Sequence, residues 1–181
     1  MPKTQTKPII TDEAIQRLYG GIELDEVGIL KPRSCDHCGH TITPRKETLS
    51  RGLVDSLKEM HAVIKRKGIN EFSYEGDVKW PYSRIANFQK LRYHGLAHHA
   101  RNTDGSIKAG YWIITKQGGE FLRNLRGIPK TVYVEENRII AYGDDTVFIS
   151  DFYSKEIYTE DYWQTNFGLP FEIDPPQRSL F

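Results

Sequence analysis

The stretch from Trp80 to Leu122, WPYSRIANFQKLRYHGLAHHARNTDGSIKAGYWIITKQGGEFL, does most to limit what this chain can fold into. Pro81 suits the first turn of a helix, because its φ is already helical and its missing N–H would have no partner there. Ile85, Phe88, Leu91 and Arg92 then fall on one face at 100° per residue, with Ser83, Ala86, Asn87, Lys90 and His94 opposite. Gly95 supplies the left-handed residue that closes a helix, and Leu96 the apolar clasp after it. Leu96 to Arg101 and Ile107 to Ile114 read as the arms of a β-hairpin, and its tip, Asn102 to Ser106, holds the turn dipeptide Asp104-Gly105. In the return arm Trp112 and Ile114 point one way, Tyr111 and Ile113 the other. Thr115 can cap a further helix carrying Phe121 and Leu122, with Gly118 letting it approach the sheet closely.

Upstream, a helix is expected over about Glu47 to Lys67. Leu49, Leu53, Leu57, Met60 and Ile64 form one apolar stripe; Lys65, Arg66 and Lys67 suit the negative end of the helix dipole, and Gly68 stops it. Phe72 and Tyr74 suggest a short strand, with Gly76-Asp77 as a turn. A short helix from Thr11 to about Tyr19, ended by Gly20-Gly21, follows a loose leader. Beyond Pro129, strands are expected at Thr131–Glu135, Arg138–Tyr142 and Thr146–Ile149, joined at Glu136-Asn137 and Gly143-Asp144-Asp145. An aromatic, acidic remainder ends in a proline-containing tail.

The 181 residues carry a formal net charge of only +1, but the charge is unevenly distributed. Residues 45–130 hold 17 basic against 8 acidic residues, whereas residues 131–181 hold 3 against 10. Residues 1–44 hold 5 against 6. A basic centre fits a polyanionic partner on that region, or two oppositely charged regions that rest on each other. These limits divide the chain into an N-terminal leader (1–44), a central domain (45–130) and an acidic aromatic, β-rich extension (131–181). No apolar run reaches membrane length and no secretory h-region opens the chain, so a cytoplasmic protein without a membrane partner is expected.

The two cysteines, Cys35 and Cys38, are too close together to be a disulfide framework and read as a knuckle, CDHCGH. Two thiolates in a tight turn can share one metal, and Cys35-x-x-Cys38-Gly39 resembles half a zinc ribbon. A closed structural zinc site needs four ligands. His40 is the nearest further candidate, then His37; His61, His94, His98 or His99 could arrive through the fold, or two chains could share an ion. A redox-active or simply reduced pair is the alternative. His98 and His99 should face opposite sides of their strand, one packed and one exposed.

Phe88-x-x-Leu91-x-x-x-Gly95-Leu96 resembles the end of a winged-helix recognition helix, and Trp112-Ile113-Ile114-Thr115-x-x-Gly118-x-x-Phe121-Leu122 resembles the segment that follows the wing. Asn87 to Leu96, with a two-cysteine knuckle upstream, is also similar to a poorly characterised family from phages and mobile elements. The resemblance covers about residues 33–150. It implies an α+β fold, a winged-helix domain with an N-terminal knuckle and a small β-rich C-terminal extension. One departure stands out: a standard winged helix has a separate helix before the recognition helix, and Gly68–Trp80 does not pattern as one.

The function expected from this reading is non-enzymatic, regulatory binding of nucleic acid, double-stranded DNA before RNA. A helix fits the major groove, where Asn can read adenine and Lys or Arg guanine, while basic groups on the wing meet phosphates. The candidate contacts are Ser83, Arg84, Asn87 and Lys90 on the helix and Arg101, Asn102 and Lys108 near the wing. No phosphate loop, nucleophile elbow or HExxH motif occurs. The competing expectation is a phage or mobile-element inhibitor that engages a host or defence protein through its acidic or winged-helix surface. Rings interspersed with carboxylates after residue 131 could form such a surface or a homodimer contact, or could simply complete the core.

Overall fold

The structure is a computed structural model that describes residues 32–35, 37–154 and 160–167. The helix expected at Thr11–Tyr19, the leader and the proline-containing tail lie outside the described residues. Strands β1 (Arg33–Ser34), β2 (Thr41–Ile42) and β3 (Arg45–Thr48) precede helix α1 (Arg51–Lys67) and strand β4 (Phe72–Ser73). Helix α2 (Tyr82–Phe88) tightens into a 3-10 turn (Gln89–Arg92) and is followed by β5 (Ala97–Arg101), β6 (Ile107–Ile114) and helix α3 (Lys116–Leu122). Strands β7 (Ile128–Pro129), β8 (Thr131–Glu135), β9 (Arg138–Tyr142) and β10 (Thr146–Val147) lead to a second 3-10 turn (Ile149–Phe152) and helix α4 (Glu160–Asn166). The fold is therefore α+β, with small antiparallel sheets ordered β4-β6-β5 and β3-β8-β9 and the pairs β1-β2 and β7-β10.

Helix α1 forms where the apolar stripe predicts it, but it begins at Arg51 rather than Glu47. Residues 45–48 are taken by β3, whose Glu47 pairs with Val132 and Thr48 with Thr131 in β8. Ser50 caps the helix by accepting the Leu53 N–H at 3.4 Å, and Gly68, at φ 68°, closes it with a bond to the Ile64 carbonyl. Leu53, Val54, Leu57, Met60, Val63 and Ile64 form its buried face. Between α1 and α2 the chain forms the short strand β4, in which Phe72 pairs with Trp112 of β6.

The end of the second helix follows the expected chemistry closely. Gly95 is left-handed at φ 67°, its N–H bonds the Arg92 carbonyl, and the Leu96 N–H reaches back to Leu91 at 3.1 Å. This pair of bonds is a Schellman closure. Thr115 then caps α3, accepting the Gly118 N–H at 2.8 Å while donating to the Gly95 carbonyl at 2.6 Å. One threonine thus joins the end of one helix to the start of the next. A cluster of tilted rings, Phe72, Trp80, Phe88 and Trp112, with centroids 5.1 to 5.6 Å apart, holds α2 on the β4-β6-β5 sheet. Each such ring, fully buried, contributes on the order of 1.5–3 kcal/mol.

The same core includes Ile149, Tyr153, Trp163 and Phe167. These C-terminal rings cover α1, so that part of the aromatic extension completes the core. The Tyr153 hydroxyl donates to Asp55 at 2.6 Å, and the Lys58 ammonium lies 4.1 Å from the Tyr153 ring. With β3 paired to β8, strand pairing also runs across the 130/131 boundary drawn from charge. The strand expected at Thr146–Ile149 ends at Val147, because the Phe148 N–H is taken by Asp151 at 2.7 Å and a 3-10 turn begins. Helix α4 had no expectation attached to it.

Candidate nucleic-acid interface and cysteine knuckle

Helix α2 starts after Pro81, which is extended at ψ 154° and offers no side-chain cap. Phe88 pins the helix from behind, and Tyr82, Ser83, Ala86 and Asn87 face solvent; Tyr82 is 85% exposed. The Asn87 amide donates to the Ser83 carbonyl at 2.9 Å. Arg84 and Lys90 are differently placed. The Arg84 Nε donates to Ser56 Oγ at 2.9 Å, the guanidinium lies 2.7 Å from Glu59 and it covers the Trp80 ring at 4.3 Å. Arg84 therefore fastens α2 to α1. Lys90 lies 2.9 Å from Glu47, whose side chain is 10% exposed.

Ser83, Arg84, Asn87 and Lys90 line one side of a cleft of about 600 Å³. Its other wall is β3 and the first turns of α1, including Lys46, Thr48, Ser50, Gly52 and Asp55. Four of the seven expected contacts are thus brought together. Arg101, Asn102 and Lys108 lie on the hairpin and do not line this cleft. Arg101 donates to the Gly105 carbonyl at 2.6 Å and Asn102 to Ser106 Oγ at 2.9 Å, so both shape the tip. Two hydrogen bonds from Ser106 hold the exposed Asp104 carboxyl below its ordinary pKa. Lys108 lies 2.6 Å from Glu71 and 4.2 Å from the Tyr111 ring.

Two histidine expectations need correction. His94 was expected on the outward face with Asn87 and Lys90, yet it is 3% exposed. The 3-10 turn over Gln89–Arg92 advances the chain by more than 100° per residue and carries His94 inward, toward the Pro129 carbonyl at 3.4 Å from Nδ1. Burial pushes its pKa down to about 4, against the opposing pulls of that carbonyl and of Glu47. His98 and His99 do not divide into one packed and one exposed ring; both are half-buried. The two are in regular register, His98 opposite Ile113 and His99 opposite Trp112. His99 is covered by the Trp112 ring at 4.0 Å, while the His98 ring folds back on the strand, its Nδ1 2.9 Å from the His99 carbonyl, which leaves each partly covered. Burial, then the charges of Arg92 and His98, lower the His99 pKa.

Sequence reasoning missed the β3 wall of the cleft, since residues 47–50 read as helix. The four residues of β3, of which Glu47 alone is buried, carry no local pattern that distinguishes them from the start of a helix. Tyr82 was also passed over.

The knuckle sits at the turn of the β1-β2 hairpin, where Arg33 pairs with Ile42 and Ser34 with Thr41. The Cys35 N–H donates to the His40 carbonyl and the Gly39 N–H to the Cys35 carbonyl, each at 2.8 Å. Gly39 takes the left-handed conformation, φ 69°, that lets the backbone fold back. Cys38, His37 and His40 are exposed, and Cys35 is half-buried. Among the described residues no group of three His, Cys, Asp or Glu side chains gathers to hold a metal ion. No helix among the described residues is long and apolar enough to cross a membrane. No protein-family model, curated protein or solved structure matches this chain.

Proposed function

We propose that this chain is a non-enzymatic, regulatory nucleic-acid-binding protein of winged-helix type, acting on double-stranded DNA. The observation that carries the reading is the solvent-facing stripe Tyr82, Ser83, Ala86 and Asn87 on α2, anchored from behind by Phe88 and followed directly by the exposed hairpin. The order helix, strand, helix, hairpin, with β4 paired to the second hairpin arm, supports it. So does the net charge of +9 over residues 45–130. The α2 stripe supplies groove contacts, and Lys90 with the tip residues Arg101 and Asn102 supplies phosphate contacts.

The test is a gel-shift series with random duplex DNA at low salt. Binding should fall steeply as salt rises, because each neutralised phosphate releases counterions. Lys90→Glu combined with Arg101→Glu should abolish the shift; unchanged binding rejects this surface. A protein-directed inhibitor is the second reading, favoured by one observation. Arg84, Lys90 and Lys108 lie 2.7, 2.9 and 2.6 Å from carboxylates, which reduces the positive charge on offer to phosphates. Such an inhibitor would ignore DNA and retain one partner in a pull-down after nuclease treatment.

A further inference from the structure

The cleft between α2 and β3 has the size of a ligand site, about 600 Å³ where such sites span roughly 300–1,000 Å³. Its lining is polar. Among the described residues around it none is aromatic, and Leu53 is the one large apolar side chain. An unpaired base needs a ring to stack on, and an apolar ligand needs apolar walls, so the lining suits neither. It suits a strongly hydrated ligand that brings hydroxyls, ether oxygens or an anion.

Most of the charge in the cleft is already matched. Glu47 is held by Lys90 at 2.9 Å, and Asp55 accepts from the Tyr153 hydroxyl at 2.6 Å. Arg84 is held by Glu59 at 2.7 Å and by Ser56 at 2.9 Å. Lys46 differs from these: it is exposed, and it pairs with no carboxylate among the described residues. The cleft also presents the exposed residues Thr48, Ser50 and Ser83 with their hydroxyls. An unmatched ammonium among hydroxyls is a donor set suited to phosphate and sugar, for which Lys, Ser and Thr are regular partners. Ser83 and Asn87 belong both to the cleft and to the outward stripe of α2, so a strand that meets the stripe continues into the cleft.

We propose that the cleft seats the sugar–phosphate backbone of one DNA strand, with Lys46 paired to a phosphate and Thr48, Ser50 and Ser83 hydrogen-bonded to the phosphates or sugars beside it. Resting on the nucleic-acid reading above, this assigns the backbone of the ligand to β3 and the first turns of α1. The contact carries no sequence information, because phosphate and sugar are the same at every base pair. Binding is non-covalent, the Lys46 ammonium replacing a counterion that the phosphate releases to solvent. Strand β3 then has a second role besides its pairing with β8.

The experiment is fluorescence anisotropy of labelled duplex DNA titrated with the full chain across a salt series, on one A·T-rich and one G·C-rich duplex. Lys46→Gln should weaken binding by roughly three- to tenfold at low salt and lower the slope of log affinity against log salt by about one. The loss should be equal on the two duplexes. Lys46→Arg should keep both affinity and slope. Lys65→Gln removes the same charge from the exposed last turn of α1, at the other end of the helix, and should leave the slope nearly unchanged. DNA binding with an unchanged slope in Lys46→Gln would overturn this proposal and leave the nucleic-acid reading standing. So would a loss confined to one duplex, or an equal loss in Lys65→Gln. A native chain that binds neither duplex at low salt would overturn both.

Discussion

Lys90, on the 3-10 turn after α2, and Glu47, on β3, meet at 2.9 Å with their side chains 38% and 10% exposed. The contact is lopsided: the carboxylate is nearly out of reach of water, whereas the ammonium is partly screened by it. Removing the ammonium leaves a poorly solvated negative charge. Lys90→Met is expected to cost about 1–2 kcal/mol, below the range for a fully buried pair because solvent reaches Lys90. Adding Glu47→Gln should restore most of that loss. Urea denaturation of the four proteins in a double-mutant cycle checks it, and simple additivity would reject the coupling.

Gly118 lies in α3 directly under the Leu96 carbonyl, and a Cβ there would collide with that backbone oxygen and stand 2.9 Å from Ile114 Cγ2. Replacing glycine by alanine inside an exposed helix ordinarily stabilises by about 0.5–1 kcal/mol. At Gly118 the sign should invert, with a loss of about 2–3 kcal/mol from forced backbone movement. Gly52 in α1 is the internal control. Its added Cβ would meet only Ser50 Oγ at 3.9 Å, so Gly52→Ala should gain stability. Thermal or urea unfolding of both variants tests the contrast.

His94 is neutral in the folded protein above about pH 4, whereas an unfolded histidine takes its proton near pH 6.5. Between those values the unfolded chain binds the additional proton, so stability falls as the pH is lowered from 6.5 to 4. The loss from this residue approaches about 3 kcal/mol at the lower limit and does not grow below it. Urea midpoints measured at pH 7 and 4.5 should differ less in His94→Gln than in the native protein. An equal difference in both would show that His94 is not the source.

Trp163 is fully buried against Tyr153, Tyr162 and Phe167, with ring centroids 5.3, 5.1 and 5.7 Å away. Trp163→Ala should cost about 3–5 kcal/mol, as expected of a large ring removed from a core. Near-ultraviolet circular dichroism and the urea midpoint report it. A variant as stable as the native protein would mean that α4 is not part of the cooperative unit.

The elements that could be read from the sequence are those whose causes are local. The apolar stripe of α1, the glycine closures at Gly68 and Gly95, the Asp104-Gly105 turn and the Thr115 cap each depend on residues a few positions apart. Glu136-Asn137 also turns where expected, with both residues at positive φ. The failures share a different origin. Strand β3 exists because β8 lies beside it, and nothing within Arg45–Thr48 announces a partner so distant. His94 was misplaced because a regular helix was continued through a 3-10 turn. At the candidate interface, Ser83 and Asn87 face outward as helical phase predicted, but the carboxylates that hold Arg84, Lys90 and Lys108 come from α1, β3 and the segment before β4. No pattern within α2 or the hairpin could reveal them.

The hydroxyl of Tyr153 meets Asp55 across 98 residues, and β3 is paired with a strand that follows the whole hairpin region. During synthesis, α1 leaves the ribosome long before the rings that cover it or the strand that completes β3. The early part of the molecule must wait with an apolar helix face and an unpaired strand edge exposed. Closure of such distant contacts is slow, and the waiting species is prone to association. The arrangement makes folding late and collective, so a nascent chain released before Trp163 should depend on chaperones far more than the finished one.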